Sequence, residues 1–411
     1  MSVIRDRGFA ARYNDGCTGD CPTCGKCAEL EPLASFIEQK SKHEPRAGYA
    51  IALDIGTTTV VSALVDLENG KVSDTHSFQN PQRAYGADII SRINASNTGH
   101  SDILRRIITE CISAELNKFL AARNISDIVD MVVAANTTMI YLLLGLPCES
   151  LGRAPFIPTY QLDTEYTNLF TTPQIKCAAR IVPWLSAFAG GDITAGTLYI
   201  LHGKRTKSRF MLIDLGTNGE IALYDSGKLF VSSAAAGSAF EGELYKAERD
   251  TMQSLPKGAS EVIRELASMV RMGIIDKTGL IKTNIYNGYE PVFTQKQIRT
   301  LQLAKSALRA GVAALLDLSG LDYRSLEALY IAGGTGYAVD AGDAVDIGLI
   351  DARLKDKIVN IGNSSLGGAV CMLRVPARTN AVIERLLSNV NELNLAAHPR
   401  FNDYFMEYMS F

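Results

Sequence analysis

Four cysteines stand within eleven residues near the beginning of the sequence, in the stretch CTGDCPTCGKC. Their spacing is C-x3-C-x2-C-x2-C, and thiolates at such short intervals are typical ligands of a metal ion or an inorganic cluster. The run is close to the ferredoxin pattern C-x2-C-x2-C-x3-C in reversed order, which favours an iron–sulfur cluster, most simply of the four-iron type. Zinc held by four thiolates is the alternative, and free redox thiols are the third. The candidate ligands are Cys17, Cys21, Cys24 and Cys27.

Two other stretches, LDIGTTT and IDLGTNGE, combine an aspartate with a Gly-Thr turn. Asp54 and Asp214 each lie at the end of an apolar run that reads as a strand. A carboxylate there can hold hydrated Mg²⁺, while glycines let backbone amides approach phosphate oxygens and hydroxyl or amide side chains add donors. After a third strand, a glycine pair leaves room for a flat adenosine. The candidate nucleotide-binding residues are Gly56, Thr57, Thr58, Gly216, Thr217, Asn218, Gly333 and Gly334.

One Asp-Gly-Thr turn could be an ordinary β-turn with an aspartate cap. Two such turns in corresponding positions, followed later in the sequence by a Gly-Gly loop, indicate a nucleotide site. A Walker loop is excluded because no Gly-Lys pair is followed by Ser or Thr. Asp192, after Gly190-Gly191, and Glu220, after the second turn, are the candidates for positioning an attacking water. The alternative role of Asp192 is that of a helix N-cap.

The elements that position these residues occur twice. Residues 49–78 read as a three-stranded meander, which residues 210–233 repeat, and each meander is followed by the order α-β-α-β-α. This predicts an α/β fold of two duplicated domains, with the cleft between them as the ligand site. A last helix is predicted over 377–396. The predicted segments are 1–47 (cysteine-rich), 48–205 (first domain), 206–375 (second domain) and 376–411 (helix and tail).

Composition narrows the classes of partner and compartment. The 411 residues include 41 basic and 44 acidic side chains, with no basic run that would indicate a nucleic-acid surface. No run of about 18 apolar residues predicts a membrane span, and no signal peptide is evident. We therefore expect a soluble, cytoplasmic protein with no nucleic-acid or membrane partner. The remaining cysteines are expected to be buried small hydrophobes: Cys111, Cys148, Cys177 and Cys371.

The order DIGTTT, DLGTNGE, YIAGGTG resembles the superfamily of acetate and sugar kinases, heat-shock chaperone ATPases and actin. The resemblance implies two actin-like (ribonuclease H-like) ATPase domains behind a short four-cysteine segment. It also implies that Asp54 and Asp214 organise Mg²⁺ and that Gly333 and Gly334 line the adenosine site. The residues implied to contact phosphates are Thr57, Thr58, Thr217 and Asn218.

Longer stretches narrow the resemblance: NPQRAYGADIISRI, AANTTMIYLLLGL, LGRAPFIP, AFEGE and QLAKSALRAG resemble the ATP-dependent reductive activators of corrinoid proteins. Such enzymes use ATP to help move an electron from an iron–sulfur cluster onto cob(II)alamin, restoring cob(I)alamin. The resemblance implies a corrinoid protein or corrinoid methyltransferase as partner, an external electron donor and a homodimer. The sequence departs from the family in having about 47 residues, rather than a whole ferredoxin-like domain, before its first ATPase strand.

Three alternative functions stay open at this point. A metabolite kinase of the acetate or sugar type would share the duplicated fold but has no use for four cysteines. A zinc-bearing regulatory ATPase would use the cysteines structurally. An activator of a non-corrinoid low-potential enzyme would share the ATP chemistry and differ in its partner.

Overall fold

The structure, a computed structural model, describes residues 43–160, 165–203, 207–216, 218–234, 236–240, 258–282, 291–333 and 339–411. Six predicted site residues lie outside the described residues: Cys17, Cys21, Cys24, Cys27, Thr217 and Gly334. By contacts between residues, the chain forms two units. The first contains the described residues up to 203 together with Asn363–Ser388, and the second contains Lys207–Gly362 and Asn389–Phe411.

Twelve strands and eleven α-helices are named here within these described residues. The strands are β1 (Tyr49–Ile55), β2 (Thr59–Asp66), β3 (Lys71–Gln79), β4 (Ile128–Ala135), β5 (Glu165–Tyr166), β6 (Ala179–Ile181), β7 (Arg209–Leu215), β8 (Gly219–Asp225), β9 (Lys228–Ala234), β10 (Ala328–Ala332), β11 (Ile358–Gly362) and β12 (Val390–Glu392). The helices are α1 (Ile89–Ala95), α2 (Ser101–Ala121), α3 (Thr137–Leu144), α4 (Glu149–Gly152), α5 (Gly191–His202), α6 (Ala259–Arg271), α7 (Gln295–Ser319), α8 (Ala341–Asp346), α9 (Ser364–Arg374), α10 (Pro376–Ser388) and α11 (Phe401–Glu407).

The first unit is built on a mixed sheet with the strand order β3-β2-β1-β4-β6-β5. Strands β1 to β3 form the predicted antiparallel meander, and β4 pairs in parallel with β1. Strand β1 is apolar at almost every position, with Ile51 and Leu53 on one face and Ala50 and Ala52 on the other, all fully buried. A strand buried on both faces is typical of a sheet covered by helices on both sides.

The second unit repeats this topology in the order β11-β10-β7-β8-β9-β12. Strands β7 to β9 form the second meander, and β10 pairs in parallel with β7, as β4 does with β1. The duplicated α/β fold predicted from the sequence is therefore confirmed. The second sheet adds β12, which pairs in parallel with β9 at the edge.

The helix predicted over 377–396 is wrong from residue 389 onward. Helix α10 ends at Ser388, and the chain then forms β12. The Leu229 amide donates to the Asn389 carbonyl at 3.1 Å, and the Leu393 amide donates to the Val231 carbonyl at 2.8 Å. Pairing with an open sheet edge satisfies backbone groups that a continued helix would have satisfied internally.

Helix α9, which follows the last strand of the second copy, packs in the first unit against α5, β1 and β4. It therefore brings residues from beyond position 362 to the first sheet. The domain bounds predicted from the duplication stay a prediction, because units defined by contact need not coincide with units defined by repeat.

The carboxyl-terminal tail packs on α7 of the second unit. The Tyr404 hydroxyl donates to the Asp317 carboxylate at 2.6 Å. The Lys305 ammonium, 1% exposed, donates to the carbonyls of Tyr408 at 2.5 Å and Ser410 at 2.6 Å. Lys305 thus helps Gln302 and Ser306 to hold the last residues of the chain on the helix.

We expect the contribution of Lys305 to the free energy of unfolding to rise with pH. Burial lowers the pKa of its ammonium to about 7, whereas an unfolded lysine titrates near 10.4. Between these values the unfolded chain holds a proton that the folded chain has released, so the free energy of unfolding rises by up to about 1.4 kcal/mol per pH unit. Below about pH 7 both states are protonated and this contribution is flat.

We expect the difference in the free energy of unfolding between wild type and Lys305→Met to grow as pH rises from about 7 to about 9. Urea denaturation measures it, and taking the difference removes the titration of groups that both proteins share. Parallel pH profiles for the two proteins would contradict the prediction.

Candidate functional site

The turn between β1 and β2 is held from one side by hydrogen bonds to its carbonyls. The Asn80 side-chain amide donates to the Gly56 carbonyl at 2.9 Å, and the Asn80 backbone amide donates to the Thr58 carbonyl at 2.9 Å. The Arg92 guanidinium donates to the Thr57 carbonyl at 2.6 Å. A trans peptide group holds its C=O and N–H on opposite sides, so the amides of Thr57 and Thr58 face away from these donors. Successive amides presented in this way suit a phosphate oxygen.

The stretch NPQRAYGADIISR positions both donors. Asn80 caps a 3₁₀ turn over Pro81–Tyr85, where its side chain accepts from the Gln82 amide at 2.9 Å. Asp88 caps α1 through the Ser91 amide at 2.8 Å and so sets the helix that carries Arg92. Sequence reasoning missed this arrangement, although the stretch was noted for its resemblance to a family. The role of this stretch in the fold is to hold the carbonyl side of the turn between β1 and β2.

Asp54 lies one residue before the end of β1 and accepts two hydrogen bonds from the start of α9. The Ser365 hydroxyl donates to one carboxylate oxygen at 2.7 Å, and the Asn363 amide donates to the other at 2.8 Å. Asn363 also caps α9 by accepting from the Leu366 amide at 2.8 Å. Burial raises the pKa of the Asp54 carboxyl, and the two hydrogen bonds oppose that rise. The sequence alone did not link Asn363 or Ser365 to Asp54.

Asp192 occupies the first turn of α5 but does not cap it, because the N-cap position is Gly190. Its carboxylate accepts from the Ile193 amide at 2.8 Å. Burial raises the pKa of Asp192 to about 7, and the negative charge of Asp54 adds to the rise. The structure therefore brings these two predicted residues close enough to interact electrostatically.

Gly190 allows the start of α5 to approach the start of α3. A Cβ atom at this position would lie 2.4 Å from the Asn136 Cα, so a side chain there would collide with backbone. Asn136 caps α3 and donates from its side chain to the Thr57 hydroxyl at 3.2 Å. The start of α5 and Thr57 therefore both lie against Asn136, the residue that caps α3.

In the second unit, Asp214 of β7 stands directly opposite Glu220 of β8 in the antiparallel register. Side chains of directly opposed residues lie on the same face of a sheet, with Cβ atoms about 5 Å apart. Glu220 is buried. In the first unit Val61 takes the position opposite Asp54. At this pair of strands, the second copy therefore presents two acids where the first presents one.

Gly333 follows β10 with a φ of +102°, and its amide donates to the Gly362 carbonyl at 3.1 Å. A Cβ atom at this position would lie 2.7 Å from an oxygen of the Asp214 carboxylate and 2.7 Å from the Leu215 carbonyl oxygen. Only glycine allows this conformation and this contact. The backbone after β10 therefore runs directly beside the Asp214 carboxylate.

Among the described residues, no group of three or more His, Cys, Asp or Glu side chains could hold a metal ion. Cys148 and Cys371 are buried as predicted, whereas Cys111 and Cys177 are only partly buried. Burial raises the pKa of all four thiols, to about 11 for Cys148 and about 12 for Cys371. These thiols are therefore poor thiolate ligands at neutral pH. None of the helices in the described parts of the chain combines the length and the apolar character of a membrane span.

Two sequence models of one protein family match the chain. "RACo middle region" matches residues 49–203, and "C-terminal domain of RACo the ASKHA domain" matches residues 208–254 and 247–411. The two matches follow the two copies of the duplicated fold and divide the chain between β6 and β7.

Two curated proteins are similar over most of their length. The corrinoid activation enzyme RamQ of Eubacterium limosum is 29% identical over 434 residues, covering 91% of this chain and 72% of that protein. The [Co(II) methylated amine-specific corrinoid protein] reductase of Methanosarcina barkeri is 23% identical, covering 88% of this chain and 77% of that protein.

A solved structure has the same fold over most of the chain. It is described as a reductive activator for corrinoid, iron–sulfur protein, and it is 29% identical with a TM-score of 0.77. The similarity covers 90% of this chain and 67% of that one.

Proposed function

This chain belongs to the RACo family of reductive activators of corrinoid proteins, and we propose that it uses ATP to return a corrinoid protein from cob(II)alamin to cob(I)alamin. The observation that carries the proposal is the match of both family models, which together span nearly all of residues 49–411. The solved reductive activator supports it, because its similarity covers 90% of this chain.

The nucleotide and Mg²⁺ fit the residues that the structure describes. In the first unit the amides of Thr57 and Thr58 would contact phosphate oxygens, with Asp54 as a carboxylate for hydrated Mg²⁺. In the second unit Asp214 would serve Mg²⁺, and the glycine backbone after β10 lies beside it. The residues proposed for further contacts in that unit are Gly216, Thr217, Asn218, Gly333 and Gly334.

Asp192 and Glu220 are the residues we propose for positioning the attacking water. Asp192 interacts electrostatically with Asp54 in the first unit, and Glu220 lies opposite Asp214 in the second. A carboxylate near the phosphates can accept a hydrogen bond from water and orient its lone pair. Each of the two is therefore paired with an aspartate that we assign to Mg²⁺, by charge in the first unit and by strand register in the second.

The four amino-terminal cysteines are proposed to hold an iron–sulfur cluster, which supplies single electrons when bound. One-electron transfer that is uphill by about 200 mV costs about 5 kcal/mol. ATP can meet this cost by favouring a conformation of the complex in which the corrinoid is more readily reduced, without phosphoryl transfer to the corrinoid. We further propose that the protein works in the cytoplasm as a homodimer and receives its electrons from an external donor.

We expect ATP to increase the rate of cob(II)alamin reduction at least about tenfold, the factor that corresponds to about 1.4 kcal/mol. The measurement is the anaerobic absorbance change of a purified methylated-amine-specific corrinoid protein, with a low-potential reductant and catalytic amounts of the chain. ADP serves as the control nucleotide. Phosphorylation of acetate or a sugar, with no effect of ATP on any corrinoid protein, would contradict the proposal in favour of a kinase.

A further inference from the structure

We propose that Arg92 is a positioning residue for the ATP phosphates, and that its positive charge, as well as its hydrogen bonds, acts on them through the Thr57 peptide. The inference rests on the proposed function, because it assumes that phosphates bind at the turn between β1 and β2. It assigns to a buried side chain a role in binding a ligand that it does not touch.

The Arg92 guanidinium is directed toward the turn between β1 and β2 by its hydrogen bond to Thr57. Its side chain is completely buried, and one guanidinium nitrogen donates to the Thr57 carbonyl at 2.6 Å. The other nitrogens donate to the Gly86 carbonyl at 2.9 Å, the Met139 sulfur at 3.3 Å and the Gln82 side-chain oxygen at 3.5 Å. All of these acceptors are uncharged.

The charge of Arg92 has no close counter-ion in the part of the chain that the structure describes. No carboxylate oxygen there lies within 4.0 Å of its guanidinium. Burial lowers the pKa of Arg92 to about 10, and the nearby charge of Asp88 opposes that change while Arg83 adds to it. The group is therefore still cationic at neutral pH. An ion buried without a partner is costly, and a polyanion bound beyond the Thr57 peptide would offset that cost.

Asn80 provides the matched comparison, because it supports the same turn without a charge. Its side chain donates to the Gly56 carbonyl at 2.9 Å, and Arg92 donates to the next carbonyl along the chain, that of Thr57, at 2.6 Å. If hydrogen bonding alone positioned the amides, the two residues would act in the same way on any ligand of the turn. A role for charge requires that Arg92 alone discriminate between ligands of different charge.

The test compares the dissociation constants of Mg²⁺-ATP, Mg²⁺-ADP and adenosine in the full-length chain by titration calorimetry. For Arg92→Met we expect affinity for ATP to fall about tenfold, the size of a Coulomb interaction between unit charges roughly 10 Å apart at an effective dielectric constant of about 20. Affinity for ADP should fall less, and affinity for adenosine should not change. Arg92→Lys should recover most of the preference for ATP over ADP. Asn80→Ala should weaken ATP and ADP by the same factor.

Equal losses of ATP and ADP affinity in Arg92→Met would overturn the inference and leave Arg92 as a structural support. If Arg92→Met fails to fold, Arg92→Gln decides the question, because glutamine is neutral yet can still donate to the Thr57 carbonyl. An unchanged ATP-to-ADP ratio in that variant has the same meaning. Absence of ATP binding by the wild type would instead overturn the proposed function, which distinguishes the two failures.

Discussion

Asp214→Asn is expected to lower both ATP hydrolysis and ATP-dependent corrinoid reduction by about a hundredfold or more, equivalent to about 2.7 kcal/mol of activation free energy. The Asp214 carboxylate lies beside the Gly333 backbone and opposite Glu220, at the end of a buried strand. Asparagine keeps the shape of the side chain but removes the anionic oxygen that a hard cation such as Mg²⁺ prefers. Steady-state kinetics at several Mg²⁺ concentrations measure the effect, and the variant should need more Mg²⁺ than the wild type.

Asp225→Asn is the matched control for this variant. Asp225 stands at the other end of the paired strands β7 and β8 and forms a partly exposed ion pair with Arg209 at 2.8 Å. Such pairs contribute only about 0–1 kcal/mol to stability, so this variant should keep its activity within about twofold. If Asp214→Asn were as active as Asp225→Asn at every Mg²⁺ concentration, the assignment of Asp214 to Mg²⁺ would be wrong.

Both meanders could be predicted from the sequence, because their signals are local. Apolar runs such as YAIALDI and FMLIDL end in Asp-x-Gly-Thr turns, and an apolar run bounded by such a turn is typical of a strand that leads into a hairpin. The repetition of the pattern after about 160 residues then indicated the duplication. The same local reasoning failed after Ser388, where an apolar helical spacing continued but pairing with β9 favoured a strand.

The composition of the site could be predicted only in part. Asp54 and Asp214 were found because they belong to local turns. The partners of Asp54 lie 309 and 311 positions further along the chain, at the start of α9. No spacing rule links residues so far apart, and α9 follows the second copy in the sequence while packing in the first unit.

Two further features of the site depend on register and burial rather than on motif. Glu220 faces Asp214 because β7 and β8 pair across a turn one residue shorter than the turn between β1 and β2, where Val61 faces Asp54. Arginine side chains are mostly exposed, yet Arg92 is fully buried against a carbonyl. A buried arginine could have been suspected only from the family resemblance of its stretch.

The double variant Cys21→Ser/Cys24→Ser is expected to lose all bound iron, since two of four thiolate ligands are removed. Its rate of ATP-dependent cob(II)alamin reduction should fall by more than about a hundredfold. ATP hydrolysis should be retained, because none of the described hydrogen bonds to Asp54 or to the turn between β1 and β2 involves a cysteine. The measurement is iron, acid-labile sulfide and zinc per chain in anaerobically prepared protein. About four irons and four sulfides are expected in the wild type.

Cys111→Ser/Cys177→Ser removes the same number of thiols and is the matched control. Both thiols are partly exposed, and burial raises the pKa of each, so neither is a thiolate at neutral pH. This variant should keep its iron, its sulfide and its reductase activity. Stoichiometric zinc without sulfide in the wild type would contradict the iron–sulfur assignment. Electrons for the corrinoid would then have to reach it without passing through this chain, and the ATP-dependent part of the proposal could still be tested through Asp214.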